Sequence, residues 1–298
     1  MQTGAGQTSE ERQRKSALVV AALITVFLWA SAFPGVRYIL NYYSAQSVML
    51  LRFVVASVVL AIMLRVKKAR FPGKKDIPMF ALAGFVGIFL YMLLFNIGVA
   101  MVPSGISSFL ISSAPVYTTL LSVLILKEKP SLFCWLGILV SLCGLGLITA
   151  SQMQGFVINI GVVLLVGASV STSLYFILQR KLMRTYTPLE ATAYPIFFGT
   201  LFMLIFLPGA VRDIPGTPLS ANLLMVYLGV FPAAISYLSW GYALSKAKST
   251  ANAMMFLYLV PFVATLLAFV WLGETFSPFA FMGGIVIIGG MVISNRWG

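Results

Sequence analysis

Residues 115–144 read PVYTTLLSVLILKEKPSLFCWLGILVSLCG, and residues 261–290 read PFVATLLAFVWLGETFSPFAFMGGIVIIGG. Shifted by 146 residues, they agree at Pro115/Pro261, Thr119/Thr265, Leu120/Leu266, Leu121/Leu267, Leu126/Leu272, Glu128/Glu274, Ser131/Ser277, Phe133/Phe279, Gly137/Gly283, Val140/Val286 and Gly144/Gly290. Eleven identities in thirty, among them a Pro, a Glu and two Gly, exceed what a shared apolar composition supplies. A fainter echo pairs Ala30, Ser31, Ile39 and Leu40 with Ala168, Ser169, Ile177 and Leu178. The chain is a duplication.

The duplicated material is apolar throughout. Of 298 residues, 60% are hydrophobic and 9% charged, with a mean hydropathy of +0.99. A soluble domain keeps about 25% charged residues, so an aqueous globular protein is excluded. Ten stretches have the roughly 17 to 25 apolar residues that a hydrocarbon layer demands of a helix: 17–36, 45–64, 78–98, 104–126, 132–150, 157–179, 190–208, 221–244, 250–271 and 278–295. The first has no small-residue cleavage pattern and reads as a span, not a leader.

Twenty Lys and Arg stand against seven Asp and Glu, a net charge of +13. The cations lie between spans, so they report topology and not nucleic-acid binding. Seventeen of the 20 gather on one side, in the connections around Arg12, Arg14 and Lys15, Arg65 to Lys75, Lys127 and Lys129, Arg180 to Arg184, Lys246 and Lys248, and Arg296. Positive residues favour the cytoplasmic side. The expectation is an all-α integral membrane protein of ten transmembrane helices, both termini cytoplasmic, with residues 1–16 a disordered tail, 17–150 a first repeat and 157–296 a second.

Each repeat then has five spans, and an odd number re-enters the membrane upside down. Two inverted copies are related by a pseudo-two-fold axis in the membrane plane, and exchanging their conformations turns an outward cavity into an inward one. A transporter has a use for that symmetry.

Trp29-Ala30-Ser31-Ala32-Phe33 resembles the opening of the first helix, and Arg52-Phe53 the second-helix motif, of the drug/metabolite transporter superfamily. The run from Pro115 through Glu128-Lys129-Pro130-Ser131 to Gly144, with its twin from Pro261, resembles the signature of EamA repeats. Within that superfamily the chain looks most like YddG-type aromatic amino-acid exporters. The resemblance implies a ten-helix carrier of the bacterial inner membrane moving metabolites outward.

Arg52 is the sole charge well inside a predicted span. Burying it costs ~2.5 to 3.5 kcal/mol, so it should face the protein interior. Two readings are open: a bidentate anchor for a substrate carboxylate, or a structural Arg holding carbonyls of a neighbouring helix. Aromatic rings mixed with small hydroxyls supply the remaining candidates for a substrate lining, Trp29, Ser31, Tyr91, Phe95, Ser108, Ser112, Tyr175, Tyr237, Trp240, Asn252 and Tyr258. The set suits a flat ring with a zwitterionic head, and helix–helix packing is the plainer account of any one member. Pro115 and Pro261 are candidate hinges, because each frees a carbonyl one turn earlier. Glu128 and Glu274, at equivalent helix ends, are candidate gates or caps of neighbouring helix N-termini.

Histidine is absent, and Cys134 and Cys143 point to opposite helix faces, so neither a metal site nor a disulfide is expected. No cofactor is implied. Nothing resembles a phosphate-binding loop, which excludes ATP-driven transport by this chain alone, and no buried Asp or Lys supports hydrolysis within the bilayer. The expectation is a secondary carrier, working as a monomer, with membrane lipid and a small aromatic amino acid as its partners. Exporters of other amino acids or of hydrophobic and cationic drugs, and a pore, are the alternatives.

Overall fold

The structure, a computed structural model, describes residues 3–102, 104–150, 159–272 and 278–297. Every regular element among the described residues is helical. The elements are α1 (Thr3–Ile39), α2 (Ala45–Val66), α3 (Ile77–Val99), α4 in two pieces (Ser104–Ser112 and Ala114–Leu126), α5 (Leu132–Ala150) and α6 (Ile160–Leu182). They continue with α7 (Pro188–Asp213), α8 (Leu219–Lys246), α9 (Thr250–Met254, a 3-10 turn Met255–Tyr258, then Leu259–Leu272) and α10 (Pro278–Trp297). Nine helices among the described residues are long and apolar enough to cross a membrane. The tenth predicted span falls on α10, whose apolar stretch Phe281–Ser294 is shorter than that length. Polar residues expected as a disordered tail are helical from Thr3 onward.

Local chemistry sets the helix starts. Ser44, Asn159, Thr187 and Ser249 each accept a backbone N–H three residues on, and Thr187 with Glu190 forms a reciprocal capping box. The interruptions recur at repeat-related places. Pro115 lies in the first turn of the second piece of α4 and Pro261 in the first turn of the last piece of α9, where a missing N–H costs little. Both α3 and α8 widen into a π-helical turn, Phe85–Leu90 and Gly229–Ile235, and the 146-residue shift carries Phe85 onto Phe231 within the second.

α5 and α10 cross antiparallel along repeat-related glycines. A Cβ on Gly137 would stand 2.5 Å from the Gly290 carbonyl oxygen, and one on Gly144 2.6 Å from that of Gly283. The converse approaches, from Gly290 to Gly137 and from Gly283 to Gly144, are equally close. Since Gly137 and Gly144 correspond to Gly283 and Gly290, the contact is self-complementary, the mark of a local two-fold axis. The same exchange relates other pairs. Gly84 of α3 meets the Gly199 nitrogen of α7, and Gly229 of α8 meets the Arg52 carbonyl of α2. α1 packs on α8 and α9, and α6 on α3 and α4.

Candidate functional site

Where α1, α2, α3, α6 and α8 converge, they bring aromatic rings onto one cation. Trp29 meets Tyr237 edge-on, with centroids 5.3 Å apart at 73°, and Trp240 at 6.0 Å. Tyr237 also touches Phe53 at 6.0 Å and Tyr175 at 6.2 Å, while Phe176 contacts Trp240 at 5.5 Å. These spacings are in the range where edge-to-face rings attract. Gly87 makes room for the cluster, because a Cβ there would occupy the Tyr175 ring.

Arg52 lies beside the rings. Its guanidinium carbon is 5.5 Å from the Phe53 centroid, a cation–π distance, and the Tyr237 and Tyr91 hydroxyls are within electrostatic reach. Tyr91 in turn stacks on Phe95. The Nε of Arg52 is sealed from solvent with no hydrogen-bond partner, yet the side chain keeps accessible surface. No carboxylate among the described residues is within ion-pair distance of it. Trp240 Nε1 and the Tyr175 hydroxyl are likewise buried without partners.

Trp29, Arg52, Tyr91, Phe95, Tyr175, Tyr237 and Trp240 are thus brought together. Of these, Tyr175, Tyr237 and Trp240 are buried, whereas Trp29, Arg52, Tyr91 and Phe95 are half-buried. The other predicted positions go elsewhere. The Ser31 hydroxyl is committed to Tyr227 at 2.8 Å and to the Leu28 carbonyl at 2.9 Å. Asn252 pairs with Ser249 in the first turn of α9, and Tyr258 is buried on the side of Cys134. Ser112 is half-buried at the end of the first α4 piece. The Ser108 side chain and all of Glu274 lie outside the described residues. At the α4 break, Ser169 and Ser173 of α6 donate to the Leu110 and Ala114 carbonyls, at 2.6 and 3.0 Å.

A second cluster sits on the cation-rich face. Glu128 accepts the Thr250 backbone N–H and hydroxyl, both at 2.8 Å, capping α9. Arg180 of α6 donates to the Leu244 carbonyl and, at 3.0 Å, to that of Ala247. Arg14 of α1 donates to the Lys246 and Ala247 carbonyls at 2.7 and 3.2 Å, and Lys248 pairs with Glu11 at 3.1 Å. A polar cleft of about 330 Å³ opens beside them, lined by Leu126, Glu128, Arg180, Met183, Arg184 and Ser245. Sequence reasoning read Arg14 and Arg180 as topology markers only. Both donate to carbonyls at the C-terminus of α8, where cations satisfy terminal acceptors, and no sequence motif records such a partner.

The loop after α2 is pinned nearby. Tyr186 donates to Asp76 at 2.6 Å, which holds its phenol above the ordinary range, and Glu190 accepts the Arg70 N–H. On the turn after α1, Ser44 donates its N–H and hydroxyl to Asp213 at 2.9 and 2.8 Å. Among the described residues, no group of His, Cys, Asp or Glu is placed to hold a metal ion.

Known proteins share this architecture. One solved crystal structure superposes with a TM-score of 0.77, covering 95% of this chain and 97% of that one at 18% identity, a likeness of fold. A protein of Streptantibioticus cattleyicolor named "Probable terminal-alkyne amino-acid exporter" is 40% identical over 285 residues, 94% of each chain. "Uncharacterized transporter YdfC" of Bacillus subtilis is 33% identical over 280 residues, 94% of this chain and 91% of that one. Residues 16–150 and 159–296 each match the EamA-like transporter family. Duplicated, multi-pass and a transporter rather than an enzyme, the chain belongs to the EamA-like transporter family.

Proposed function

We propose that this transporter is a secondary carrier that exports amino acids with aromatic side chains across a bacterial inner membrane by alternating access. One observation carries the reading: Arg52, half-buried, with no carboxylate partner among the described residues and no hydrogen-bond partner at Nε, lies beside Phe53, Tyr91 and Tyr237, and Trp29 packs on Tyr237. A guanidinium offers a carboxylate a forked pair of donors, and the rings offer a flat apolar partner. A relative named as an amino-acid exporter supports the same substrate class.

In this reading ten helices cross the membrane as two inverted five-helix repeats with both termini cytoplasmic, and the reciprocal glycine contacts of α5 and α10 support that symmetry. The Glu128–Thr250 bond, with the Arg14 and Arg180 contacts, is the closed cytoplasmic gate. Pro115 and Pro261 are the hinges. Glu274 and Ser104 occupy the repeat positions of Glu128 and Thr250, and Glu274 is assigned to the opposite gate. The carrier works as a monomer.

The test is a proteoliposome panel of purified protein with labelled Trp, Phe and Thr, with and without a pH gradient. Saturable counterflow of Trp and Phe is expected. Linear, unsaturating flux identifies a pore, and Thr moving as fast as Phe removes the aromatic preference.

A further inference from the structure

Among the described residues, the Arg52 site holds a cation and no carboxylate. The chain has seven Asp and Glu. The five whose side chains are described lie in connections or at the ends of the membrane-length stretches and are already engaged: Glu11 with Lys248, Asp76 with Tyr186, Glu128 with Thr250, Glu190 with Thr187 and Arg70, and Asp213 with Ser44. Around Arg52 the neighbours are rings and phenols.

An amino acid brings two charges, and this site answers only one of them. Its carboxylate would meet the Arg52 fork. Its α-ammonium would then lie one carbon away from that carboxylate, close to the guanidinium of like sign, with no carboxylate among the described residues to receive it. Within a low-dielectric site, like charges repel strongly and an unpaired ammonium loses its hydration without return. Rings can attract an ammonium, but those nearest Arg52, namely Phe53, Tyr91 and Tyr237, stand beside its guanidinium, whose charge opposes a second cation there.

We infer that the carboxylate and the ring are the determinants of recognition, and that aromatic monocarboxylates lacking the α-amino group are substrates of this same site, at least as good as the amino acids. The inference rests on the placement of the substrate at Arg52 proposed above and extends the substrate class to net anions. Arylamines without a carboxylate are excluded by the same charge.

Three matched solutes separate the terms: phenylalanine, 3-phenylpropanoate, which lacks the amine, and phenethylamine, which lacks the carboxylate. Counterflow of each labelled solute is measured in wild-type proteoliposomes at neutral pH, with the signal of protein-free vesicles subtracted. The expected result is 3-phenylpropanoate moving at least as fast as phenylalanine and phenethylamine staying at background. Phenylalanine moving while 3-phenylpropanoate does not overturns this inference and leaves the amino-acid reading intact. If 3-phenylpropanoate alone moves, the inference holds and the amino-acid reading fails. Movement of phenethylamine, or of none of the three, overturns the inference.

Discussion

The Glu128 carboxylate holds both the backbone N–H and the hydroxyl of Thr250, 122 residues away, each at 2.8 Å. One side chain thereby fastens the end of α4 to the start of α9. Charge-assisted bonds of this kind contribute about 1.5 to 3 kcal/mol each. Glu128→Ala should lower the thermal midpoint of the detergent-solubilised protein, and Thr250→Val should add little on top of it. In a double-mutant cycle the coupling should reach about 1 kcal/mol or more; additive losses would mean that the two residues stabilise the protein independently.

Lys127, just before Glu128, ends α4 with φ 56°, in the left-handed region. A side chain there costs roughly 1 kcal/mol that glycine avoids, and the repeat-related position is Gly273. Lys127→Gly should raise thermal stability by about that amount, and Lys127→Val should lower it.

The glycines of α5 offer an internal control. Gly144 is pressed on the Gly283 carbonyl, while a Cβ on Gly146, two residues on, would meet nothing within 4 Å. Gly144→Val should cost about 3 kcal/mol or more through forced separation of α5 and α10, with loss of monodisperse protein on size exclusion. Gly146→Ala should be neutral or stabilising by about 0.5 kcal/mol. Equal tolerance at the two positions would contradict the close crossing.

Arg52→Lys keeps a positive charge and discards the planar fork. For the proposed substrates, uptake per unit KM should fall at least tenfold, about 1.4 kcal/mol, with the folded yield preserved. Arg52→Gln should lose more. A lysine variant with wild-type kinetics would leave only the charge in play.

Trp29 and Trp240 should separate recognition from packing. Trp29 is half-buried, whereas Trp240 is wholly buried beneath it. Trp29→Ala should slow Phe uptake more than Thr uptake at normal yield; Trp240→Ala should lower yield first, since removing a buried Trp costs about 3 to 5 kcal/mol.

Much of this architecture is legible in the sequence. The Gly137/Gly283 and Gly144/Gly290 identities mark the α5–α10 crossing, because only backbone-to-backbone approach demands glycine on both partners. Arg52 and its rings are legible because a charge within an apolar run must have a protein neighbour. Sequence spacing could not distinguish Ser31, which turns to Tyr227, from a lining residue, since its partner lies 196 residues away on another helix. Nor could it assign Arg14 and Arg180 a role beyond topology. Their partners are carbonyls, which every residue possesses and no motif records.

Ala247 is where those contacts converge. Its carbonyl oxygen accepts from both Arg14 and Arg180, and three residues further on Thr250 is seized by Glu128. Helices α1, α4 and α6 therefore all grip one short hairpin link between α8 and α9. Loosening any single grip leaves the other two in place, so freeing that link requires all three to part: a lock with three bolts.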